Sequence, residues 1–232
     1  MKSNYQDLKQ RCLECNLEIP KKGLAIYTFG NVSAFDEKKK VFAIKPSGVP
    51  YDKLKADDIV VLDLECKVLE GQLNPSTDTG THAVLYKNFK GIGGVVHTHS
   101  PYATAWAQAC RSIPVFGTTH ADHLSIPVPC TETMGDEMIK GNYEIETGNQ
   151  IIQTFKKLSH KEVPMVLVAG HGPFAWGQTP EKAVYNIAVL EELAKMALFT
   201  IQIDSGAKEL KATLIQKHYD RKHGKNSYYG QK

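Results

Sequence analysis

The stretch Gly93-Gly94-Val95-Val96-His97-Thr98-His99-Ser100 constrains this chain most. Two glycines run into two β-branched valines, a pattern that reads as a buried strand. Residues i and i+2 of a strand leave by the same face, so His97 and His99 are expected to project together and grip one ion. Burying both imidazoles unpaired would be costly. A third histidine, His171, follows the apolar run Met165–Ala169 and opens His171-Gly172-Pro173-Phe174-Ala175-Trp176-Gly177, which reads as turn-rich. Three neutral imidazoles are a common protein set for Zn²⁺. Asp78, just ahead of a helix that precedes the strand, is the candidate carboxylate for the same ion. Mn²⁺ and Co²⁺ are the substitutes that a nitrogen and oxygen site accepts.

With 232 residues, of which 42% are hydrophobic and 23% charged, the chain has the composition of a globular protein and the length of one α/β domain. No repeat or linker divides it, so a single domain over residues 1–232 is expected. The 28 Lys and Arg against 25 Asp and Glu leave a net charge of +3, too balanced for nucleic acid as the main partner. No apolar run approaches the roughly 20 residues that span a bilayer, and the N-terminus shows no signal-peptide core. Five cysteines, an odd count, point to free thiols in a reducing, cytoplasmic setting. Cys12 and Cys15 form a C-x-x-C pair, but they share an apolar helix face with Leu8 and Ile19 and read as buried hydrophobes.

Periodicity and punctuation predict the other elements. A helix is expected over residues 3–19, ending before Pro20. Strands are expected over 24–29, 41–45, 59–64, 67–70, 92–99 and 165–169, with the charged segment 36–40 as a hairpin tip. Helices are expected over 81–89, 102–110, from Thr147 or Asn149 to Leu158, and for about 20 residues after Thr179-Pro180. Gly30-Asn31-Val32-Ser33 reads as a tight turn closing the first strand.

Two turns offer places for an anion. Pro46-Ser47-Gly48 follows a strand, and Asn74-Pro75-Ser76-Thr77-Asp78-Thr79 leads into a helix, so both present hydroxyls and free backbone N–H groups. Simple helix capping is the other duty of Ser76, Thr77 and Asp78. A metal beside two anion cradles suggests a small phosphorylated carbonyl compound, with charge on oxygen stabilised by the metal. Asp122 and Tyr229 are candidate proton-transfer groups; a turn cap and an interface aromatic are their alternative duties.

The segments Gly30-Asn31-Val32-Ser33, Lys45-Pro46-Ser47-Gly48, Pro75-Ser76-Thr77-Asp78-Thr79, His97-Thr98-His99-Ser100, Gly117-Thr118-Thr119-His120-Ala121-Asp122 and His171-Gly172-Pro173-Phe174-Ala175-Trp176-Gly177 occur in one order. In that order they resemble the class II aldolase/epimerase (adducin-like aldolase) family, from about residue 7 to the C-terminus. The Thr-Thr-His-Ala-Asp segment and the Tyr228-Tyr229-Gly230 ending favour its epimerases over its fuculose- and rhamnulose-phosphate aldolases. The resemblance implies a three-layer α/β/α fold with a largely antiparallel central sheet, and a homotetramer with active sites between subunits. It implies Zn²⁺ on His97, His99 and His171, with Asp78 beside or on the metal. Gly30, Asn31, Lys45, Ser47, Gly48, Ser76 and Thr77 would bind a sugar phosphate. Asp122 and Tyr229 would move protons, the tail of about 208–232 would reach a neighbouring subunit's site, and Thr118 and His218 would support it. The implied reaction is C4 epimerisation of L-ribulose 5-phosphate to D-xylulose 5-phosphate by retro-aldol cleavage, aldehyde rotation and re-addition, in L-arabinose or L-ascorbate breakdown. The alternatives are aldol cleavage alone and, from the basic aromatic tail, nucleic-acid binding. The chain departs from the family pattern at residues 123–127, at Glu132 and at Ala169-Gly170, none of them a proposed ligand.

Overall fold

The computed structural model describes residues 4–224 and residue 227. In chain order these form α1 (Gln6–Lys21), β1 (Asn31–Asp36), β2 (Val41–Ile44), β3 (Val60–Asp63), β4 (Val68–Glu70), α2 (Thr79–Asn88), β5 (Gly94–His97), α3 (Pro101–Gln108), α4 (Thr118–Ala121), α5 (Asp136–Lys140), α6 (Tyr143–Thr154), β6 (Met165–Val168), β7 (Gly172–Gly177), α7 (Pro180–Ile203) and α8 (Ala212–His223). The strands make one sheet in the order β4-β3-β2-β1-β5-β7-β6, and every neighbouring pair is antiparallel.

Helices cover both faces. On one, Ser33, Val95 and Trp176 stand in register across three strands and meet α2 and the end of α6. There Ser33 Oγ lies 2.7 Å from the Tyr86 hydroxyl, and the Trp176 ring contacts Phe89 and Phe155. On the other, Cys12 of α1 packs on Ala34, Val41 and Ala43. Alongside it, α7 lies so close to the sheet that a Cβ on Gly94 would collide with Pro180. Arg11 and Glu181 join α1 to α7 at 2.7 Å, and the Trp106 indole of α3 donates to Ala194 O of α7. This is the expected α/β/α layering about an antiparallel sheet.

Cys12 and Cys15 are buried free thiols within α1, and burial pushes both up, Cys15 to about 12. They are packing groups. No helix among the described residues is long and apolar enough to cross a membrane.

Four expectations of local structure need correction. Residues 24–29 form no strand but an irregular stretch with a turn at Tyr27 and Thr28. Ile26, Tyr27 and Phe29 are exposed there, because no neighbouring strand meets them. Asn31-Val32-Ser33, expected as a turn, begins β1, while Gly30 takes the left-handed bend at φ +79. A Cβ on Gly30 would lie 2.7 Å from His97 O. Residues 172–177 are a buried strand, not a turn. Pro173 is tolerated because its carbonyl faces the end of β5, where it accepts from Thr98 N. A strand residue's N–H and C=O point the same way, so the missing N–H falls where β5 has stopped. Finally, α6 begins at Tyr143 behind an Asn142 cap, and Thr147 sits inside it, donating to Tyr143 O at 2.9 Å. Smaller shifts put Pro20 in the last turn of α1 and end β5 at His97.

Candidate active site

The alternation of strands brings four chain segments to one end of the sheet: the start of β1, the exits of β2 and β5, and the entry to β7. His97 is the last residue of β5 and is buried. Its ring stacks on Phe174, with centroids 4.2 Å apart, and its Nδ1 donates to Pro173 O at 2.9 Å. That bond leaves Nε2 with its lone pair outward, 3.0 Å from Nε2 of His99. His99 lies just beyond the strand and still shares the face of His97. His171, from the turn before β7, meets the Tyr143 hydroxyl through Nδ1 at 3.2 Å. One ligand atom from each of His97, His99 and His171 falls within 4.8 Å of the others.

Two imidazole nitrogens at 3.0 Å can share one proton or one cation. With a third nitrogen beside them and Nδ1 of His97 held by a carbonyl, the set fits a divalent metal ion. Burial lowers His97 to about 3, opposed by the Asp78 charge and assisted by the neighbouring histidines. Burial also lowers His171. Both rings are therefore neutral and able to ligate at physiological pH.

Asp78 stands beside the cluster at the N-terminus of α2, and its Oδ2 accepts from Asn31 Nδ2 at 2.6 Å. Burial raises its carboxyl, but the imidazoles of His97 and His82 and the Asn31 amide outweigh that and hold it below the usual range. Asn31 also donates to Ser76 Oγ at 3.0 Å.

The same cleft, of about 380 Å³, is lined by Gly30, Asn31, Lys45, Ser47, Gly48, Ser76, Thr77, Asp78, His97, His99 and His171. Both turns read from the sequence as anion cradles thus open beside the histidines. Gly48 bends at φ +68, and Ser76 N and Lys45 O tie the two turns together at 3.1 Å. The Lys45 ammonium is buried, lies 5.0 Å from the Tyr51 ring centroid and has burial pulling it down to about 8. Tyr143 and Glu144 also line the cleft and were not singled out from the sequence. The cap Asn142 ahead of them was the available signal. His82 was missed as well: it is fully buried, with Nδ1 2.6 Å from Ser33 Oγ.

Asp122 is not among the cleft's lining residues. It follows α4 and is held by α8, with Arg221 bonded to both carboxylate oxygens at 2.9 and 2.5 Å and His218 Nδ1 at 3.0 Å. Burial works against its charge, but Arg221, His218 and Lys222 keep the carboxyl below its usual range. Thr118, at the start of α4, accepts from Asp122 N through its carbonyl at 2.8 Å. Tyr229 lies outside the described residues.

An all-antiparallel sheet between helical layers carries, at one end of its central strands, a histidine triad that could hold a metal ion and the two turns read above as anion cradles. The chain matches the class II aldolase and adducin N-terminal domain over residues 10–198, and it belongs to that family. Within the family it is 48% identical, over 98% of its own length and 100% of theirs, to the proteins called L-ribulose-5-phosphate 4-epimerase UlaF of Salmonella paratyphi A and Salmonella typhi. Among solved structures it resembles L-fuculose 1-phosphate aldolase, with a TM-score of 0.74 and 25% identity over 94% of this chain and 97% of that one. An aldolase II superfamily protein from Pseudomonas syringae shares the fold at a TM-score of 0.75 and 13% identity, over 96% of this chain and 86% of that one.

Proposed function

We propose that this chain is a zinc-dependent L-ribulose-5-phosphate 4-epimerase, interconverting L-ribulose 5-phosphate and D-xylulose 5-phosphate. The observation that carries the reading is the near full-length identity of 48% to relatives bearing that name, combined with a histidine triad that opens onto two anion-binding turns. Zn²⁺ is the ion chosen, with Mn²⁺ and Co²⁺ as substitutes. Held by His97, His99 and His171, with Asp78 beside it, the ion would act as a Lewis acid on the ketone and stabilise the charge left when the C3–C4 bond breaks.

The chain's own residues do the rest. Lys45, Ser47, Gly48, Ser76 and Thr77 hold the phosphate. Because that phosphate sits on the two-carbon aldehyde fragment, the grip keeps the aldehyde in the cleft while it turns and is attacked on its other face. Gly30 and Asn31 fix the sugar end near the histidines. Inversion at C4 needs a proton group on each face of the aldehyde. Asp122 and Tyr229 fill these roles from a neighbouring subunit of a homotetramer, with the tail at residues 208–232 carrying Tyr229 and with Thr118 and His218 supporting Asp122. The protein is a single-domain cytoplasmic enzyme in this reading.

The test is to incubate the protein with L-ribulose 5-phosphate, with and without Zn²⁺, and identify the products by NMR. Zinc-dependent D-xylulose 5-phosphate is expected. Accumulation of glycolaldehyde phosphate without D-xylulose 5-phosphate would establish an aldolase instead.

A further inference from the structure

His99 and His171 sit on turns, not in strands, so something must hold those turns at ligand distance. Helix α3 touches both. It starts two residues after His99, and near its other end Ala107 O accepts the N–H of Gly170, next to His171, at 2.8 Å. The first N–H groups of a helix have no partner within it. The Ser100 side chain does not cap α3; it lies 3.3 Å from the Thr98 hydroxyl instead. The cap comes from 88 or more residues away: Glu191, on α7, accepts from Tyr102 N at 2.9 Å through Oε1 and from Ala103 N at 2.8 Å through Oε2. Only 7% of Glu191 is exposed. A buried carboxylate bonded to two N–H groups at a helix N-terminus is a strong, directional fastening.

The geometry points to Glu191 as a positioning residue for the metal site. It clamps α3 onto α7, and α3 carries the turns of His99 and His171. This rests on the metal reading of the histidine triad. Glu191→Gln keeps the shape and replaces one acceptor oxygen by an N–H₂ group facing a backbone donor, so the helix start shifts and the ligand geometry loosens.

The test is titration of Zn²⁺ into the metal-free, full-length protein against a chromogenic chelator, with unfolding followed in parallel. Glu191→Gln is expected to bind Zn²⁺ about tenfold more weakly, the scale typical of losing a group that orients ligands, with the far-UV spectrum retained. Glu191→Asp, which keeps the charge at shorter reach, should fall between it and the parent. Asn186→Ala is the control for general loosening, since it removes a buried bond from α7 to Trp176 O of 2.7 Å without touching α3. It should lower stability and leave zinc affinity unchanged. Affinity of Glu191→Gln within about twofold of the parent, or an equal loss in Asn186→Ala, overturns the clamp. If Glu191→Gln does not fold, parental affinity in Glu191→Asp overturns it equally. A parent protein that binds no Zn²⁺ overturns the metal reading itself.

Discussion

Of the three histidines, His99 is the most informative to remove. His97 is buried and stacked on Phe174, so replacing it opens the core as well as the site. His99 is exposed, and His99→Ala should delete a ligand with the fold intact. Bound zinc, measured by elemental analysis, should fall to a small fraction of the parent's, and turnover should drop by on the order of a hundredfold or more. Undiminished turnover would remove His99 from the ligand set. Other histidines weaken the fold in acid. Burial lowers His82, His120 and His123 to about 4, below the value near 6.5 of an unfolded chain. Between pH 6.5 and about 4 the unfolded chain therefore binds protons that the folded one refuses, so stability is full above that window and falls as pH drops through it. His120→Gln, which can still donate to Ile126 O, should reduce the slope by up to one proton, about 1.4 kcal/mol per pH unit. Urea unfolding of the metal-free protein from pH 4 to 7 checks this, and equal slopes in parent and variant would reject it.

At the scale of elements, several joints are made by single polar side chains reaching across the layers. Asn16 of α1 is the clearest. Its Oδ1 accepts from Val32 N and its Nδ2 donates to Val32 O, both at 2.8 Å. It serves the backbone of β1 one residue before pairing with β2 begins at Ser33. Asn16→Leu leaves Val32 N buried and unmet and Val32 O with only the weak Cys12 thiol donor at 3.3 Å, so it should destabilise by about 1–3 kcal/mol with zinc affinity unchanged in chelator competition. A loss below about 0.5 kcal/mol would show that the ladder closes without it. Nothing in the sequence marks Asn16, because it sits within the apolar period of an amphipathic helix. The same limit explains β7. Gly172 to Gly177 has the composition of a turn, and only its place between β5 and β6 makes it a strand. Conversely, residues 24–29 have the composition of a strand and no neighbour to pair with. The Thr179-Pro180 start of α7 and the hairpin tip at 37–40 were legible, because each is set by local chemistry.

For the whole molecule, the cleft contains the histidine triad and the two turns proposed to hold the phosphate, while Asp122 is held by α8 outside it. If sites are shared between subunits, two inactive variants should rescue each other. Asp122→Asn and His99→Ala, each nearly inactive, should recover up to about a quarter of parental activity when unfolded and refolded together, since mixed interfaces pair one intact half with another. Activity no greater than the sum of the separate variants would place Asp122 and the histidines in one subunit's site or exclude Asp122 from catalysis. By itself, the sequence determined what short-range chemistry can specify: the His97-x-His99 pair on one face, the two Ser-containing turns that line the cleft, the buried C-x-x-C, and the α/β class with its family resemblance. Only the tertiary structure decided which runs became strands, that His171 closes on His97 and His99 across more than 70 residues, that Lys45 is buried beside them, and that Glu191 fastens α3. These depend on pairing and packing between distant segments. The residues concerned look ordinary in their own neighbourhoods, and their roles appear only when the sheet brings those neighbourhoods to one edge.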